Sequence, residues 1–166
     1  MSTFEDTRYR WRETYFVLFD AKKRPKLNAM AKALAALSSR YELANLSEGE
    51  HGLIDSLTLI SPDDYAALDI CYSGEPDVLE QAADLVQDLK KAGADLPPSA
   101  TWERIKRFDG RFDVLHFEQI PDELAEELDE DGMLDPSALL LVINALAKLT
   151  GGVAIDPQAG TFLVEE

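Results

Sequence analysis

Two periodicities alternate along this chain. Residues Glu13 to Asp20, "ETYFVLFD", are aromatic and β-branched and carry apolar side chains on both parities, the pattern of an interior strand. A turn at "AKKRP" follows, and Pro25 is placed to open a helix, where its missing N–H would be unpaired in any case. Leu27, Met30, Ala31, Leu34, Leu37 and Tyr41 then recur at helical spacing, predicting a helix over 26–40. "ELANL" reads as a short strand. "LIDSLTLI" and "YAALDICY", joined by the turn residues "SPDD", predict a hairpin of strands 53–60 and 65–72. The clearest helix is 76–92. Pro76 stands near its start, Val78, Leu79, Ala82, Leu85, Val86 and Leu89 form its stripe, and Gly93 its cap. Past the rigid "DLPPS", the strand "RFDVLHFEQ" covers Phe112 to Glu118.

The order strand, helix, two strands, helix, strand is that of the ferredoxin-like βαββαβ arrangement, an antiparallel α/β (α+β) sheet with its helices on one face. The remainder extends it. "PDELAEELDEDG" predicts a short acidic helix or loop, and 136–149 a helix with Asp135 as N-cap and Pro136 at its first position. This last helix is apolar nearly all the way round, so burial on more than one side is expected. "VAID" and "TFLV" predict a closing hairpin around "PQAG". Strand–helix–strand–strand therefore occurs twice, in 13–72 and 112–164, as an order of elements without shared residues. No linker divides the chain, which reads as a single domain over 1–166.

Charge changes this picture more than composition does. Apolar content of 46% with 29% charged residues is ordinary for a globular protein. Thirty-two acidic residues against 16 basic ones, however, give a formal net charge of −16. No lysine or arginine occurs from Tyr41 to Leu89 or from Phe112 to Ala147; the bases gather near the start, in "KKRPK" and in "WERIKRFDGR". Phosphate backbones repel such a chain, which disfavours nucleic acid as a partner, although the basic segments could form a local patch. Trp11 and Trp102 among arginines fit edge packing better than base stacking, because no ribonucleoprotein motif accompanies them. The opening "MSTFEDTRYR" lacks the apolar core of a secretory signal, and no window has the roughly 18 apolar residues of a membrane span. With the lone Cys71, these features lead to the expectation of a soluble cytoplasmic protein without an internal disulfide.

The chemical motifs are few. No glycine-rich phosphate loop, nucleotide fingerprint, nucleophile elbow or paired-cysteine zinc spacing is present, and neither a cofactor nor a metal is expected. His51 and His116 would need carboxylates to complete a zinc site, and "EELDEDG" lacks the spacing of a calcium loop. The best place to look for a site is His116 with Glu118, which share one side of a strand roughly 7 Å apart. If Leu115 and Phe117 pack under the helices, His116 and Glu118 look out of the opposite face. In a ferredoxin-like sheet Asp69 and Cys71 of the hairpin join them there. Such a cleft could move a proton or bind a polar ligand. The plainer reading is a wet or helix-covered polar face, and the missing nucleophile favours it. Cys71 itself, beside Asp69, is expected to be a packed thiol of raised pKa.

Two functional classes follow. One is a non-enzymatic binding or regulatory module, of inhibitor or immunity type, whose acidic surface, above all Glu126, Glu127, Asp129, Glu130 and Asp131, meets a basic protein. The other is a small-ligand sensor or modest enzyme working at Asp69, Cys71, His116 and Glu118. The charge and the missing motifs favour the first.

Overall fold

The first strand dictates the layering. The computed structural model describes residues 9–62, 66–74, 76–94, 96, 101–119 and 137–163. Strand β1 (Tyr9–Phe19) sends Tyr15, Val17 and Phe19 to one side and Phe16 and Leu18 to the other. A strand apolar on both parities is stable only if both faces are covered, and both are. On the first side lie helices α1 (Leu27–Ala35) and α4 (Ser137–Thr150); on the second lie α2 (Pro76–Lys91) and the short α3 (Trp102–Lys106).

Among the described residues the sheet has seven strands. Besides β1 they are β2 (Glu42–Glu48), β3 (Ile54–Ser61), β4 (Ala66–Gly74), β5 (Gly110–Gln119), β6 (Val153–Asp156) and β7 (Thr161–Phe162). Their order is β2-β3-β4-β5-β1-β6-β7, and every neighbouring pair is antiparallel. The fold is thus a mixed α+β protein with one antiparallel sheet and four helices, and the predicted strands, hairpins and main helices are all present among the described residues.

Two expectations need correction. The ferredoxin-like arrangement put helices 26–40 and 76–92 on one face, with the first strand between the hairpin and the last strand. Instead α1 and α2 lie on opposite faces, and β5 inserts between β4 and β1. The cause is visible in β1. A one-sided helix layer would leave either Phe16 and Leu18 or Val17 and Phe19 in water, at about 1.5–3 kcal/mol for each large side chain. The second correction concerns α4. Ala138, Leu139, Val142, Ile143 and Leu146 are buried, but Leu140 and Leu141 are 45% and 46% exposed, so this helix buries one side only. The acidic stretch "PDELAEELDEDG" lies outside the described residues.

Helix ends fall where capping chemistry puts them. Gly93, at φ +75°, ends α2: its N–H donates to the Lys90 carbonyl, and Ala94 N–H to that of Leu89. Thr101 caps α3 by accepting from Arg104 N–H at 3.2 Å. Past α4 the chain returns to the sheet at Gly152, where a Cβ would stand 2.2 Å from the Leu18 carbonyl oxygen, so only glycine fits.

Candidate functional site

The β4–β5 pair holds the residues that the sequence singles out, and its register sorts them. Leu68 is opposite His116, Asp69 opposite Leu115, Ile70 opposite Val114 and Cys71 opposite Asp113. Residues directly opposite one another share a face. Val114 and Phe112 belong to the core under α1 and α4, as do Leu68 and Ile70. By period two, His116 and Glu118 lie on that same covered side, while Asp69 and Cys71 lie on the other. The four residues therefore do not meet in one cleft. The expected face sharing within each pair holds; the expected joining of the pairs does not, because the residues under α1 and α4 are Phe112 and Val114.

On the covered side His116 is 1% exposed and Glu118 fully buried. Glu13 of β1 is opposite His116, next to a bulge between Trp11 and Glu13, and Tyr15 follows on the same side. Burial pushes the Tyr15 hydroxyl well above its ordinary range, and a hydrogen bond to Glu13 with the charges of Glu13 and Asp156 adds to the shift. A phenol held this way stays protonated and donates to the Glu13 carboxylate. Among the described residues no group of three or more His, Cys, Asp or Glu is placed to hold a metal ion. His51 sits apart, exposed in a turn at φ +60°.

On the other side Asp69 is half-buried and accepts from the Thr58 hydroxyl at 2.8 Å, which in turn accepts from the Asn45 amide at 3.2 Å. Cys71, expected to be packed, is instead exposed at the surface, yet desolvation, then the charges of Asp69 and Asp113, push its thiol up. A raised thiol pKa means little thiolate and a poor nucleophile, as its acidic neighbours suggested. Glu126, Glu127, Asp129, Glu130 and Asp131 lie outside the described residues.

A feature missed by the pattern analysis lies on the same side, along α2. Asp77, Glu80, Asp84 and Asp88 recur at intervals of three, four and four, so they form one exposed acidic stripe beside the buried row of Val78, Ala82, Val86 and Leu89. Like charges at these intervals destabilise a helix by a few tenths of a kcal/mol per pair. Asp88 also sits near the C-terminal end of the macrodipole, where a negative charge is unfavourable. The stripe flanks a cleft of about 270 Å³ between α2 and the sheet. Phe16, Leu18 and Leu85 contribute its apolar lining, Asp84 and Asp88 its acids, and Arg111 its one cation among the described residues. That cation is already engaged. Arg111 Nε donates to Asp113 at 2.6 Å, Nη1 donates to the Gln81 side-chain oxygen, and the guanidinium lies 4.6 Å from the Phe16 ring centre. The stripe was readable as spacing within "PDVLEQAADLVQD"; attention to the apolar residues alone passes over it.

What such a cleft can do is accept a long cationic side chain, its alkyl stem on the apolar lining and its head at the two carboxylates. Comparison with protein-family models, with characterised proteins and with solved structures finds no match for this chain.

Proposed function

We propose that the protein is a non-enzymatic binding module, of inhibitor or immunity type, that engages a basic protein partner through acidic surface. The observation that carries this reading is the α2 stripe. Four like charges are stacked on one helix face, of which only Asp77 lies in the first turn where the helix dipole favours it, beside an apolar-lined cleft with acids on its wall. A stripe needed only for solubility would work as well with its acids spread over the helix. The run Glu126, Glu127, Asp129, Glu130 and Asp131 supplies further negative charge and is proposed as a second contact region for the same partner. The work is assigned to the cytoplasm.

We further propose that residues 1–166 are one domain in which 112–164 is a βαββ unit and 13–72 a related unit enlarged by the extra strand β2. Its support is that α1 and α4, the two crossover helices, cover the same side of the sheet, while β1 and β5 run antiparallel at its centre. The competing ligand-site reading, at Asp69, Cys71, His116 and Glu118, has less support because the register divides those residues between two faces.

The test uses a basic partner recovered from the protein's own host. Neutralising Asp77, Glu80, Asp84 and Asp88 should slow association at least about tenfold at low salt and flatten its salt dependence. Neutralising the 126–131 acids should act in the same direction. Association and salt dependence unchanged in both variants would refute the acidic-interface reading.

A further inference from the structure

The two basic segments of the sequence meet in the fold. Lys23, from "KKRPK" in the turn after β1, lines a second cleft, of about 250 Å³, together with Arg104 and Arg107 from "WERIKR". Phe108 after α3 and Thr150 and Gly151 at the end of α4 complete it, with Asp20 as its one acid among the described residues. Three cations from segments about 80 residues apart thus line one cleft in a chain of net charge −16. With acids outnumbering bases two to one, random placement would have surrounded each cation with carboxylates.

The nearby acids are already committed in part. Asp109 accepts from Ala21 N–H at 2.8 Å, and Asp20 accepts from Lys22 N–H at 3.1 Å, which fixes the turn that carries Lys23. Arg104 has a structural task as well: its Nη2 donates to the Gly151 carbonyl at 2.7 Å, and its guanidinium sits 5.4 Å from the Phe108 ring centre. That bond offsets the negative end of α4 at the cleft. Lys23 and Arg107 are exposed at its margins. Among the described residues that line the cleft the cations outnumber the acids, which suits a phosphate monoester, whose charge at neutral pH is about −1.5 to −2.

We propose that this cleft binds a dianionic phosphate group, carried by a small phosphate monoester or present as inorganic phosphate. Arg107 supplies a planar donor fork for the phosphate oxygens, Lys23 supplies a mobile point charge, and Arg104 adds positive charge to the wall. The cleft is small for a whole organic ligand, so the phosphate is the recognised part. This assignment is independent of the acidic interface on α2.

The experiment titrates the full, isotopically labelled chain with inorganic phosphate and, separately, with glycerol 3-phosphate, at constant ionic strength, following backbone amide resonances. Saturable shifts confined to residues 20–23, 104–108 and 150–151 are expected with either probe. Tighter binding of the ester marks an organic phosphate as the ligand, and equal binding marks the free ion. Affinity should fall as the pH drops through the phosphate's second pKa of about 6. Lys23→Gln with Arg107→Gln should weaken binding about tenfold or more, while Lys32→Gln with Lys91→Gln, at exposed sites elsewhere, should leave it unchanged. Arg104 is left intact because it holds the end of α4. Should the double variant lose its folded spectrum, Lys23→Gln alone, in an exposed turn, is read in the same way. Shifts that do not saturate, shifts spread equally to Lys32 and Lys91, or a folded variant that binds like the wild type would each overturn the proposal.

Discussion

The two sides of the β4–β5 strand pair differ in what covers them. On one, His116 and Glu118 continue a row of Phe112 and Val114 that α1 and α4 seal, and both are essentially inaccessible. On the other, one residue away along the same strands, Cys71 is exposed and Asp69, Asp113 and Leu115 are half-buried. Chemically the two sets look alike, each pairing a carboxylate with a second titratable group. Their accessibility separates them. The lesson is that polar residues on a shared parity identify a face and do not say whether water reaches it. The more open side, on which Ala67 and Phe117 are nonetheless buried, is where α2 lays its acidic stripe and where the proposed partner contact falls.

The largest effect should come from core truncation on the sealed side. Leu68→Ala, at a fully buried position, should cost about 2–5 kcal/mol in urea denaturation, while Leu115→Ala on the open side should cost less than about 1.5. Equal losses at the two leucines would erase the distinction between the faces. The same contrast is expected within α4. Ile143→Ala should cost about 2–4 kcal/mol, and Leu140→Ala, 45% exposed, under about 1. A costly Leu140→Ala would mean that this side of α4 is covered after all.

The smallest effect concerns the Cys71 thiol. Its pKa is raised, so the thiolate fraction at a given pH is below that of a free cysteine, and alkylation should keep accelerating with pH beyond the ordinary thiol range. Asp69→Asn removes one of the charges that raise it and should speed alkylation near neutral pH about two- to threefold. An alkylation profile like that of a free thiol, unaffected by Asp69→Asn, would place Cys71 in a different environment.

Much of the fold was legible in the sequence, and each shortfall has a physical origin. Aromatic and β-branched runs bounded by turn residues located β1, β3, β4 and β5, and helical spacing with Gly93 as the stop located α2. The layering was misjudged although its signal was present: Phe16 and Leu18 alongside Val17 and Phe19 already required cover on both faces. Strand order could not be read from local pattern, because the placement of β5 between β4 and β1 depends on contacts between segments about 40 to 100 residues apart. The candidate site depended on that order. His116 and Glu118 were correctly put on one side of their strand, but joining them to Asp69 and Cys71 required the register, in which Cys71 is opposite Asp113. The exposed leucines of α4 show the reverse error, since hydrophobicity all round a helix does not guarantee neighbours all round it.

On the proposed reading, partner binding belongs to the side of the sheet under α2 and not to the sealed pair. The most direct test compares Asp84→Asn with Asp88→Asn against Glu118→Gln, each confirmed folded, in stopped-flow association with the basic partner at low and high salt. The α2 variant should lose at least about tenfold in association rate at low salt and converge with the wild type at about 1 M salt, where the Debye length is near 3 Å. Glu118→Gln should associate at the wild-type rate at both salts. A slow Glu118→Gln beside an unaffected α2 variant would contradict the account and return the site to the sealed face.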